Sequence, residues 1–303
     1  MIIDLPETSS SAVAKKLIKL REEGGAIALG RVLTLIIIAD DKELVEEAIL
    51  AANDASREHP CRVLVVSPDY EAQNTRLDAQ IRVGGDAGAS EVIVLRPHGE
   101  AKAHPDTLVT PLLLPDAPIV AWWPGEAPQD PSQDLIGAIA KIRITDAINS
   151  SAPGEVLAQL SKVHEPGNID LAWTRVTLWR GLLASTLELP PFLPVKSATV
   201  AGLTGHPSIE LIAAWLREKL DIPVSITYKD NVPAITRVTL TRDNGEIVID
   251  RPDGKNAILS QPGQPDHKIP LPVRQLRECL SEELRRLDPD EIYEEVLTKG
   301  LVK

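Results

Sequence analysis

The run VLTLIII, residues 32–38, is an unbroken stretch of β-branched residues and leucine that stops at Asp40 and Asp41. A strand with one wet face alternates apolar and polar residues. A strand that is apolar at nearly every position is buried on both faces, as parallel sheets require. The same theme repeats outward from this run. Asp41 stands at an N-cap position, and Leu44, Val45, Ala48, Ile49 and Ala52 recur at helical spacing before Pro60. Residues 62–66, 79–83, 91–95 and 119–122 read as further strands, with a helix over 107–114. Upstream, Thr8 or Ser9 caps a helix that closes at Gly24 and Gly25. Strand alternating with helix implies right-handed crossovers. The expected architecture is an α/β domain over residues 1–149, with a mostly parallel, doubly wound sheet and helices on both faces.

Beyond it the pattern changes. Residues 125–132 are rich in Pro, Asp and Gln and read as a loop, followed by a helix over 133–141. Residues 150–194 form a helical connector carrying one tryptophan-bearing helix over 171–187, and Pro190, Pro191 and Pro194 mark a linker. Residues 195–303 read as a smaller α+β domain with an antiparallel sheet. Its strands fall at 197–203, 224–228, 236–242, 246–250 and 257–260. A helix over 208–219 follows the first strand, and two more close the chain at 273–287 and 289–299. Asp243-Asn244-Gly245 between alternating residues is a hairpin turn.

Composition limits the function. A chain of 303 residues can build two cores without covalent staples, and its two cysteines, Cys61 and Cys279, make no disulfide or metal framework. The opening MIIDLPETSSS lacks the basic start and apolar run of a signal peptide. The longest apolar runs are far short of the ~20 residues a membrane helix needs. A cytoplasmic chain with no membrane partner is expected. The net charge of −12 opposes nucleic-acid binding, which needs a basic surface.

No GxSxG, HExxH or CxxC pattern occurs, and the six histidines are scattered, so no catalytic or metal-ligating set is expected. Cys61 opens an apolar strand, where a buried, inert thiol is expected. Gly84, Gly85, Asp86, Gly88 and Ser90 make a glycine-rich turn. It is neither GxGxxG nor a P-loop, and it reads as a packing turn or as a nest of N–H groups for an anion. On a helix over 171–187, apolar residues including Trp173 and Trp179 fill most of the circumference, with Arg175 and Arg180 inside the apolar arc. Those arginines read as an internal ion pair or as anchors on a partner, and Arg175 is spaced to stack on Trp179. Trp122 and Trp123 end a strand. Alternation sends one ring inward and the other outward, with Trp123 expected outside, unless the loop after Pro124 covers both.

Several stretches resemble the actinobacterial glucose-6-phosphate dehydrogenase assembly proteins, the family called OpcA. They are GRVLTLIII (30–38), NDASREHPCR (53–62), LDAQIRVGGDAGASEVIVLRP (77–97), TPLLLPDAPIVAWWPGE (110–126), RITDA (143–147) and DLAWTRVTLWRG (170–181). The resemblance implies a non-catalytic assembly or activating subunit of glucose-6-phosphate dehydrogenase, with no cofactor of its own. A different class of function stays open beside it: a sugar-phosphate- or nucleotide-binding enzyme or sensor that uses the Gly84 to Ser90 turn as an anion site.

Overall fold

A computed structural model describes residues 1–24, 31–70, 74–83 and 91–301. In chain order the elements are β1 (Ile2–Leu5), α1 (Ser10–Gly24), β2 (Leu33–Ile38), α2 (Lys42–Ala55), β3 (Cys61–Val66), β4 (Arg76–Arg82), β5 (Glu91–His98), α3 (Pro105–Val109), β6 (Ile119–Trp123) and β7 (Ile142–Thr145). There follow α4 (Pro153–Leu160), β8 (Asn168–Asp170), α5 (Leu171–Thr174), α6 (Thr177–Leu187), β9 (Ser197–Leu203), α7 (Pro207–Leu220) and β10 (Val224–Lys229). The chain ends with β11 (Ile235–Arg242), β12 (Gly245–Asp250), β13 (Asn256–Ser260), β14 (His267–Pro270), α8 (Leu276–Arg285) and α9 (Glu291–Glu295), the last running into a π-helical turn over Val296–Gly300.

Contacts gather these elements into two compact units. The first comprises Met1–Asp146, Gly167–Ile169 and Leu276–Pro289, and the second Ala147–Pro166, Asp170–Gln275 and Asp290–Lys303. Within the span read as a connector, residues 167–169 group with the first unit and α4, α5 and α6 with the second, while α8 joins the first from far along the chain.

The first unit carries an eight-stranded sheet in the order β1-β4-β5-β3-β2-β6-β7-β8. The pairs β5·β3, β3·β2, β2·β6 and β6·β7 are parallel, and β1·β4 and β4·β5 antiparallel. From β2 the chain builds one way to β3 and β5, then reverses to place β6 and β7 on the other side. Both faces are covered. Val13 and Leu17 of α1, Val109 of α3 and Leu112 join Ile36, Leu64, Ile93, Leu95 and Trp123 in one core. On α2, Val45, Ala48, Ile49 and Ala52 are buried, and this helix packs on β3 and along α8. Full burial of β3 and of β2 up to Ile38 explains why their sequences do not alternate, whereas β4, nearer the edge, alternates.

In the second unit the order is β10-β9-β11-β12-β13-β14. β9 and β10 are parallel and joined through α7, and the remaining pairs are antiparallel. The expected hairpin pairs Arg242 with Gly245 across Asp243-Asn244, with Gly245 at φ 125°. Gly300 is required where it stands, because a Cβ there would lie 2.8 Å from Ala214 O on α7.

Two expected helices differ. Over 133–141 there is only a 3-10 turn, Gly137–Ile139. Asp134 takes the N–H groups of Ile136 and Gly137 on its own carboxylate, at 2.8 and 3.1 Å, and so offers the backbone a local alternative to a helix. The helix over 171–187 is broken into α5 and α6. The Ala172 carbonyl, which should accept from Val176, accepts from Ser208 Oγ at 2.8 Å instead, and Val176 N turns to Trp173 O at 3.1 Å. Among the described residues no helix is long and apolar enough to cross a membrane.

Candidate partner-binding site

Open α/β sheets take ligands beyond the carboxyl ends of the strands where the strand order reverses. Here that point lies between β2 and β6. The Asp41 side chain accepts from Leu44 N at 2.8 Å, placing a carboxylate on the amino end of α2, where a bound anion would otherwise be favoured. A Cβ on Gly125 would stand 2.7 Å from Leu44 Cδ2, so the chain after β6 lies against the first turn of α2. The crevice holds an acidic cap and a packed loop in place of a phosphate cradle. The Gly84, Gly85, Asp86, Gly88 and Ser90 turn lies outside the described residues.

The two tryptophans that close β6 do alternate, but neither is exposed. Trp122 is fully buried and Trp123 is 3% exposed. The expectation that Trp123 faces outward is therefore corrected. Its ring joins the core on the α1 side with Ile136, Ala140 and Ala127, drawn from the segment after Pro124, and its Cη2 lies close to Gly137. Because both faces of this sheet are covered, alternation moves a side chain from one core to another and never into water.

Trp173 and Trp179 are also buried, at 1% and 2% exposure. Trp173 Nε1 donates to Asp290 at 2.8 Å, and the Arg180 guanidinium lies over the Trp173 ring, 3.7 Å from its centroid. The cation stacked on Trp179 is Arg251, at 5.0 Å, where Arg175 was expected. Arg175 and Arg180 are both half-buried.

The other side of α6 is open. Leu178 is 42% exposed, Leu182 half-buried, and Gly181 and Ser185 exposed. The apolar line continues past the helix through Leu189, 44% exposed, to Phe192, 67% exposed. Phe192 is the one phenylalanine in the sequence, and it sits at φ 54°, a left-handed conformation that bulky side chains rarely adopt. Sequence alone could not separate this face from the buried one, because apolar residues occur on both. The signal available was the leucine spacing 178, 182, 189 running into the proline-bracketed Phe192.

Other residues of the quoted motifs serve as buried fastenings. Arg62 Nε donates to Glu91 at 2.9 Å and its Nη1 to Leu112 O at 2.5 Å, with Arg31 3.5 Å from the same carboxylate. Arg143 donates to the Asn168 side chain and, at 2.9 Å, to Ala140 O. Asp170 accepts from Ala147 N at 2.9 Å and Ala172 N at 2.8 Å, capping α5. Burial pushes the Cys61 thiol up to about 12, with nearby Arg31 opposing, so it does not ionise near neutral pH. His98 is buried beside Asp69 and Asp78, at 3.3 and 3.0 Å, a grouping made by strand pairing that its sequence neighbours do not announce. Among the described residues no set of His, Cys, Asp and Glu is arranged to hold a metal ion. His164 lies outside any helix and packs edge-on against Tyr293 at 5.8 Å.

Comparison with protein families matches the chain to two OpcA domain models, described as the two domains of a glucose-6-phosphate dehydrogenase subunit. Residues 52–162 match its N-terminal domain, which carries the OpcA assembly description, and residues 166–297 match its C-terminal domain. The chain belongs to the OpcA family. A curated OpcA relative from Synechocystis, named for the OxPP cycle, is 23% identical over 210 residues, which cover 64% of this chain and 44% of the relative. The chain thus spans less than half the length of that OpcA relative. Among solved structures, UDP-N-acetylglucosamine 3-dehydrogenase GnnA from Acidithiobacillus ferrooxidans is 10% identical with a TM-score of 0.43, covering 89% of this chain and 96% of that one. An oxidoreductase from Sinorhizobium meliloti is 10% identical with a TM-score of 0.46, covering 89% and 94%. Likeness at that level carries no argument about the chemistry of an OpcA protein.

Proposed function

We propose that this chain is a non-catalytic subunit that promotes assembly and activity of glucose-6-phosphate dehydrogenase, the NADP-dependent entry step of the oxidative pentose phosphate pathway. The observation that carries the reading is the pair of matches to domains named for a subunit of that enzyme, which together run from residue 52 to residue 297. An acidic cap at the α/β crevice supports it by removing the ordinary place for a dinucleotide phosphate.

The dehydrogenase meets the outer face of α6 and the segment after it, through Leu178, Leu182, Leu189 and Phe192. Apolar side chains left in water along one line are the mark of a docking surface, and aromatic anchors dominate the energy of such surfaces. Trp173, Trp179 and Arg180 support that face from within, and Trp122 and Trp123 hold the first unit together. The cytoplasm, where the enzyme works, is the implied compartment.

The test mixes the purified chain with the same organism's glucose-6-phosphate dehydrogenase and follows NADP reduction and molecular mass together. A rise in enzyme mass and activity on mixing, with no NADP reduction by the chain alone, is the expected result. Unchanged mass and activity over a concentration series would overturn the reading.

A further inference from the structure

Within the second unit, Trp179, His206, Ser208, Ile235, Arg251 and Arg274 line a small cavity, with Arg175 also on its wall. Its free space is about 20 Å³, room for one water-sized group and too little for a sugar ring or a base. Arg251 is 2% exposed. Its Nε and Nη2 donate to Ile235 O at 3.2 and 2.6 Å, and its Nη1 to Leu271 O at 3.2 Å. Among the described residues the second N–H of each terminal nitrogen has no acceptor. No carboxylate among the described residues forms an ion pair with it, and Asp253, the carboxylate whose field it feels, is solvent-exposed. A buried guanidinium without a counter-charge is costly, and the cost is relieved by an anion.

The neighbouring groups are donors as well. The indole N–H of Trp179 is buried and finds no acceptor among the described residues. His206 caps α7 by accepting from Ser208 N on Nδ1 at 3.3 Å, so its proton belongs on Nε2. The cavity also adjoins the amino end of a 14-residue helix, where the dipole favours negative charge. Half-buried Arg274 and exposed Val273 at the rim leave a way in from solvent.

We propose that this cavity binds a single oxyanion, the tip of a phosphate or carboxylate group, with Arg251 as its buried anchor and Trp179 Nε1–H as a neutral donor. It holds whether or not the chain binds a dehydrogenase. The cost of burying Arg251 against three carbonyl bonds and an indole face is then balanced by the ligand's charge.

The test is an NMR titration of the full ¹⁵N-labelled chain with inorganic phosphate and, separately, with acetate at matched ionic strength. The chain has five tryptophans, and Trp179→Phe assigns the indole resonance of interest. A saturable shift of the Trp179 indole N–H, with that of Trp122 unmoved, is expected. Saturation by phosphate alone assigns a phosphoryl group, and saturation by acetate as well admits a carboxylate. Arg251→Met weakens the binding by about tenfold or more. Should that variant fail to fold, Arg274→Gln at the rim gives a smaller loss in the same direction. A Trp179 shift that does not saturate with either anion, or binding that both arginine variants retain at full strength, would overturn the assignment.

Discussion

The tryptophans of β6 and those of α5 and α6 give the same sequence signal and come to different ends. Trp122 and Trp123 lie in a sheet covered on both faces, so both are core. Trp173 and Trp179 lie on helices, and a helix has a far side. Burying their rings leaves Leu178 exposed, and the line continues through Leu189 to Phe192. The lesson is that a bulky aromatic marks where a chain is anchored, and that exposed apolar residues are found on the unburied side of the element that carries it. That side exists for α6 and not for β6.

The sharpest way to break this comparison is to empty the β6 sites. Trp122→Ala and Trp123→Ala should each cost about 3–5 kcal/mol in a urea melt, since each removes a fully enclosed ring. A loss below about 1 kcal/mol at Trp123 would mean that its ring is not core. Glu91→Ala should cost a similar amount, about 3–5 kcal/mol, because it removes the carboxylate that buried Arg62 bonds at 2.9 Å. Replacing Arg62 and Glu91 together with apolar residues should recover much of that loss.

A smaller effect lies in the second unit. Burial first, then the charge of Arg175, lower the His206 ring from its ordinary 6.5 to about 4, with Arg251 adding to the effect. The folded state therefore binds this proton less readily than the unfolded chain does. The stability supplied by the neutral ring is complete above pH 6.5 and is lost as pH falls towards 4. It amounts to about 3 kcal/mol for this one group. His206→Asn, which keeps a capping side chain without the titration, should flatten that part of a stability–pH curve. An unchanged slope would remove His206 as its source.

Much of the fold was legible in sequence because burial on both faces leaves a direct trace. The unbroken apolar runs at β2, β3 and β5, the cap at Asp41 and the hairpin turn at Asp243-Asn244-Gly245 mark their elements within a few residues. What was not legible depended on partners distant in the chain. Val176 breaks its helix because Ser208 takes a carbonyl that only the fold brings near. Residues 133–141 look helical by spacing, yet Asp134 diverts the local N–H groups. α8 joins the first unit from residue 276 onward, which no local pattern could announce. For the site, sequence placed the weight on the tryptophans, on Arg175 and Arg180, and on the Gly84 to Ser90 turn. The exposure of Leu178, Leu189 and Phe192 was not legible, because hydrophobicity alone does not say which side of a helix is covered.

The smallest expected change in stability is on the exposed face, and there the comparison meets function. Leu178→Asp combined with Phe192→Asp should alter folding stability by only about 0.5 kcal/mol, because neither side chain is enclosed. Mixed with glucose-6-phosphate dehydrogenase, the double variant should bind at least about tenfold more weakly than the unaltered chain and fail to raise the enzyme's activity. Full binding and activation by a folded Leu178→Asp, Phe192→Asp variant would contradict the account and place the contact elsewhere.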